Sequence, residues 1–83
     1  MKTANETDGQ VEALEFLVDE HTRNCGKPLK EFKLKPNILV VSISHGANTE
    51  IANGNSQFQK GDIVVVVDSN SRETIRQLND IFA

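Results

Sequence analysis

Ile63 to Val67 is five aliphatic β-branched residues in a row, and no other stretch of the chain limits the fold as strongly. Side chains alternate across a strand, so such a run must present apolar atoms to both faces of a sheet. It therefore belongs at the centre of a sheet, with cover expected on each side. Lys60-Gly61-Asp62 immediately before it is a turn signal. Upstream, Asn37 to His45 (NILVVSISH) is β-branched and apolar, becoming alternating at its end. Gly46-Ala47-Asn48 follows as a tight turn into Thr49 to Ala52, which predicts a hairpin, and Asn53-Gly54 marks another turn.

The ends of the chain are less uniform. Residues 1–10 carry a single large apolar side chain, Met1, and read as a flexible leader or a former interdomain linker. Val11 to Glu20 is ambiguous: Leu14, Phe16 and Val18 alternate as in a strand, while Val11, Leu14 and Val18 fall at helical spacing, and propensity leans helical. Pro28 after Gly26-Lys27 suits the first position of a short helix over 28–32. From Asn70 to Ala83, Ile75, Leu78 and Phe82 recur at i, i+3 and i+7, and Asn70 with Glu73 has capping-box spacing. An amphipathic C-terminal helix is the expectation. It would cover one sheet face and leave the other for a partner, most simply a second copy of the chain.

Charge and length remove several classes of function. Val, Ile, Leu and Phe supply 24 of the 83 residues, enough for one folded domain. Nine basic against twelve acidic residues give a net charge of −3. That disfavours nucleic acid, whose binders draw affinity from clustered positive charge. A five-residue apolar run is far short of the roughly 20 that cross a bilayer, so no membrane insertion is expected, and no signal-peptide pattern opens the chain. One cysteine suits a reducing compartment.

The chemistry-bearing residues are sparse. Cys25, His21 and His45 form the sole thiol–imidazole set, too few for a closed zinc site and without an oriented base or oxyanion donor for nucleophilic catalysis. Glu12, Glu15, Asp19 and Glu20 read as a solvated edge. Lys27, Lys30, Lys33 and Lys35 are the one basic concentration, serving solubility or attracting a small anionic ligand. The glycines match no phosphate-cradling motif.

Gly26 to Gly46 (GKPLKEFKLKPNILVVSISHG) followed by Thr49 to Val67 (TEIANGNSQFQKGDIVVVV) resembles the C-terminal regulatory domain of the peripheral subunits of bacterial Trk/Ktr potassium-uptake systems, the TrkA-C or RCK-C family. Val11 to Phe16 looks like that family's opening strand, and the similarity runs from about residue 11 to 83. The resemblance implies an α+β domain, β-α-β-β-β-α with a mostly antiparallel sheet. It also implies a cytoplasmic, non-enzymatic homodimer attached to an N-terminal nucleotide-binding RCK-N domain, lying against the inner membrane through a potassium-channel subunit. No cofactor is implied for the domain itself. Some relatives bind cyclic di-AMP between two copies, and on that likeness Pro36, Asn37, Ile38 and His45 are the ligand contacts. Two positions depart from the family's habit: His45 stands where Arg or Lys is frequent, and Ala52 where Pro is.

Overall fold

The computed structural model describes residues 11–69 and 75–83. Four strands, β1 (Glu12–Leu17), β2 (Ile38–His45), β3 (Asn48–Ile51) and β4 (Ile63–Asp68), form one antiparallel sheet in the order β1-β4-β2-β3. The aliphatic run is thus interior, flanked by β1 and β2. The ambiguous opening segment is a strand, because Glu12 to Leu17 can take up the free edge of β4 in register, Leu14 opposite Val66 and Phe16 opposite Val64. That pairing outweighs the helical propensity of Glu, Ala and Leu.

Strand β2 carries a bulge at Val41, between the Val40↔Val66 and Ser42↔Val65 pairs. The extra residue lets Ile38, Val40 and Ile43 all point to the core although strict alternation would turn Ile43 outward. The displaced Val41 carbonyl accepts the Ala52 N–H at 2.9 Å, which fastens the end of β3. The β2–β3 hairpin closes through Gly46-Ala47, with His45 opposite Asn48. Gly46 has φ +62°, as the first residue of a two-residue II′-type hairpin loop requires.

One sheet face is buried. Val64 and Val66 from β4, Ile38, Val40 and Ile43 from β2, and Val18 pack against Phe58, Ile75, Leu78, Ile81 and Phe82. Phe32 meets Phe58 and Phe82 edge-on, with ring centroids 5.2 and 5.4 Å apart.

The helices of the β-α-β-β-β-α expectation are corrected. Among the described residues the only helical pieces are two 3-10 turns, Leu29–Glu31 and Leu78–Ile81. At the first, Pro28 is extended and lies one residue ahead of the turn. The Leu29 and Lys30 N–H groups bond the carbonyls of Ser56 and Gly54, so the 53–56 loop, not a second helical turn, satisfies this segment. At the second, Gln77 is extended and closes a capping box with Asp80, whereas the Asn70–Glu73 box lies outside the described residues, as does the 1–10 leader. Leu78 and Ile81 are three apart, which eclipses them on one side of a 3-10 turn. Phe82 reaches the core by a different route: it bridges Leu34, with Lys35 N–H bonding Ile81 O at 3.0 Å and Ala83 N–H bonding Lys33 O at 2.7 Å. The predicted apolar positions are buried, but an extended tail on the 33–35 segment delivers the last of them.

The opposite sheet face has no cover among the described residues. Its three rows across the sheet are Leu17–Ile63–Ser44–Thr49, Glu15–Val65–Ser42–Ile51 and Ala13–Val67–Leu39. Leu39 is 63 % and Ile51 76 % exposed.

Candidate ligand site

Strand β2 carries the predicted site residues at its two ends. Pro36, Asn37 and Ile38 lead into it and His45 closes it, so roughly 25 Å of strand separates the two groups at about 3.3 Å per residue. Pro36 is exposed. Asn37 is half-buried: its amide donates to Asp68 Oδ1, and its carbonyl accepts the Ser69 N–H at 2.9 Å. Asn37 thus ties the start of β2 to the end of β4. Ile38 is a core residue, opposite Asp68 in the ladder.

At the other end His45 stands between two carboxylates. Its Nδ1 is 2.9 Å from Asp62 Oδ2 and its Nε2 is 3.2 Å from Glu50 Oε1. The contacts continue outward. Ser56 Oγ donates to Glu50 Oε2 at 2.6 Å and accepts from Asn53 N–H at 3.0 Å, while Asp62 Oδ2 also accepts the Gln59 N–H at 2.8 Å. The hydrogen bond that the ring donates to Asp62, followed by the influence of Glu50, raises the His45 pKa above its ordinary 6.5 against the cost of desolvation. Glu50 is held below its usual carboxylate value, chiefly by the Ser56 hydroxyl and then by His45. Glu50 and Asp62 were not legible as partners of His45, nor Ser56 as the support of Glu50. The one available signal was that a two-residue hairpin loop pairs position 45 with 48 and so puts position 50 diagonal to 45 on the same face.

A cleft of about 250 Å³ lies where the sheet meets the 29–34 segment, lined by Leu29, Lys30, Leu34, Leu39 and Ala52 among others. It contains one of the four clustered lysines and the alanine noted from the sequence. A second, about 340 Å³, lies beside β1, lined by Asp19, His21, Thr22, Arg76 and Asn79 among others. Lys35 lies near Asp80, whose carboxyl is held low mainly by the Arg76 backbone N–H.

The thiol–imidazole set does not assemble. Cys25 is exposed, with its thiol at 3.5 Å from Thr22 O. Its pKa is raised, first by partial burial and then by Asp62 and Asp19, the direction opposite to an activated nucleophile. His21 is paired loosely with Glu20 at 3.8 Å. Among the described residues no three His, Cys, Asp or Glu side chains gather as metal ligands, and no helix is long and apolar enough to cross a membrane. Glu12 and Glu15 are exposed on β1, Asp19 caps the turn to Thr22, and Glu20 meets Lys60 at 3.8 Å.

A four-stranded antiparallel sheet with a Gly hairpin and a Gly-Asp entry to its central strand is the arrangement the resemblance called for, and the family model of the TrkA-C domain matches residues 13–82. The chain belongs to the TrkA-C domain family. It is also 31 % identical over 74 residues to the Trk system potassium uptake protein TrkA homolog of Archaeoglobus fulgidus. That alignment takes in 89 % of this chain but only 16 % of the relative, so the TrkA-C domain described here spans a small part of the relative's length.

Proposed function

We propose that this TrkA-C domain is a non-catalytic regulatory module of a potassium-uptake protein. The observation that carries the reading is the family match over residues 13–82, supported by a relative that bears the name of a potassium uptake protein. On this reading the module sits in the cytoplasm, joined to an N-terminal nucleotide-binding RCK-N domain and acting on a membrane channel subunit through its parent chain.

Two copies pair through the open sheet face. The exposed Leu39 and Ile51 and the half-buried Ile63, Val65 and Val67 support this, since that face loses apolar surface to water only if a partner covers it. A small anionic ligand such as cyclic di-AMP then binds between the copies, through Pro36, Asn37, Ile38 and His45. A ligand that bridges both copies biases one arrangement of the pair, and the parent chain reads that bias as a population shift.

A second reading, a purely structural dimerisation domain, has its own support. Asn37 already bonds Asp68 and Ile38 is already packed in the core, so both have internal duties without any ligand.

Thermal-shift measurements with cyclic di-AMP, ATP, ADP and NAD, run beside sedimentation, separate the two. A rise in Tm specific to cyclic di-AMP on a dimer supports the sensor, because a native-state ligand stabilises by mass action. Asn37→Ala is expected to abolish that rise while leaving the dimer intact. No shift with any nucleotide on a stable dimer supports the structural reading, and a monomer throughout refutes pairing.

A further inference from the structure

The two carboxylates that bracket His45 make its contacts depend on whether the ring is charged. A neutral imidazole has one N–H. It can donate to Asp62 or to Glu50, and its other nitrogen then turns a lone pair toward a carboxylate oxygen about 3 Å away. An imidazolium has two N–H groups and satisfies both. With Nδ1 2.9 Å from Asp62 and Nε2 3.2 Å from Glu50, only the protonated ring donates a hydrogen bond to both carboxylates.

The surroundings supply no substitute for that proton. Glu50 faces His45 from β3 and Asp62 from the loop entering β4; Ser56, from the 53–56 turn, bonds Glu50. From the segment before Gly26, Cys25 is the group electrostatically coupled to Asp62, and it is not a cation. Among the described residues no lysine or arginine forms an ion pair with Glu50 or Asp62.

We propose that His45 is a charge-dependent clip, whose imidazolium holds the β2–β3 hairpin to the loop entering β4 and whose deprotonation releases the hairpin side of the contact. Asp62 is the partner retained. Its side chain is 6 % exposed against 43 % for Glu50, it is closer, and its Oδ2 is further fixed by the Gln59 N–H. The neutral ring keeps Nδ1–H on Asp62 and presents the Nε2 lone pair to Glu50, which repels it. Ile51, the most exposed large apolar residue of the open face, follows Glu50 directly in β3. The clip thus sets how firmly an edge of that face is held.

The test is a pH titration of the 83-residue chain by NMR, following the His45 ring nitrogens and the exchange of hairpin amides, with exchange corrected for its intrinsic pH dependence. The expected result is a His45 midpoint above 6.5 and, on crossing it, a loss of about threefold to tenfold in protection at Ala52, whose N–H closes on the Val41 carbonyl. Glu50→Gln is the deciding variant. Its amide accepts from the charged ring or donates to the neutral one, so the pH dependence of protection is expected to flatten while the hairpin persists. A His45 midpoint at or below 6.5, protection that does not change across the midpoint, or a Glu50→Gln chain that keeps the full pH dependence would each overturn the proposal.

Discussion

The two faces of this sheet are built from the same strands and differ in who covers them. Along β4, Val64, Val66 and Asp68 are buried, while Ile63, Val65 and Val67 between them are only half covered. The chemistry of the two aliphatic sets is nearly identical. What differs is that the 53–62 loop, the 29–34 segment and the C-terminal turn all pack on one side, bringing Phe32, Phe58, Leu78, Ile81 and Phe82 there. Apolar character thus tells how much surface asks for burial; the path of the connecting segments tells which part the chain itself can bury.

The sharpest way to break this comparison is to remove a large side chain from the covered face. Phe58→Ala is expected to cost about 3–5 kcal/mol, measured by urea unfolding, because Phe58 is fully buried and its ring is packed by Phe32. A loss under 1 kcal/mol would mean that this face is not the core. Next in size is Ile81→Ala, at about 2–5 kcal/mol. It asks whether the C-terminal turn belongs to the cooperative unit: an unfolding midpoint close to that of the parent chain would place the turn outside it.

On the open face the same kind of truncation is expected to do little to the fold. Leu39→Ser with Ile51→Ser should change stability by about 0.5 kcal/mol per site or less, as for exposed positions. Sedimentation should nevertheless show weakened self-association. Unchanged association would remove this face as the pairing surface and sharpen the contrast to covered against simply solvated.

The smallest effect is electrostatic. His45 has a folded pKa above 6.5, so its contribution to stability is fully present below 6.5 and is lost as pH rises through the raised value. Glu50 has a folded pKa below 4.5, so its contribution is present above 4.5 and is lost as pH falls through the lowered value. Tm is therefore expected to be highest between these limits, and His45→Gln should remove the decline on the alkaline side. A decline that persists in His45→Gln would assign it to another group.

Much of the fold was legible because it rests on local rules. Gly46-Ala47-Asn48 between two β-rich stretches announced the hairpin; the uninterrupted run at 63–67 announced an interior strand; Asn53-Gly54 and Lys60-Gly61-Asp62 announced the turns around Phe58. The C-terminal spacing of Ile75, Leu78 and Phe82 was read correctly as a buried face and wrongly as an α-helix. Positions three and four apart can be buried by one 3-10 turn followed by an extended bridge, and periodicity over so few residues does not separate these. Of the candidate site, Asn37 and His45 could be singled out, but not their partners. Asp68 lies 31 residues from Asn37, and Asp62 comes to His45 through a loop whose path no local pattern specifies.

The sequence by itself determined that β2, β3 and β4 are strands, where they turn, that β4 is interior, and that there is more apolar surface than one layer of cover can bury. Those are properties of single residues and their immediate neighbours, settled by side-chain alternation, backbone sterics and solvation. Only the tertiary structure decided which face is closed, that a bulge at Val41 turns Ile43 inward, and that two carboxylates converge on one imidazole. Each of these depends on bringing together segments far apart in the chain. Their energies exist only once the entropy of closing the intervening loops has been met by the packing of the whole.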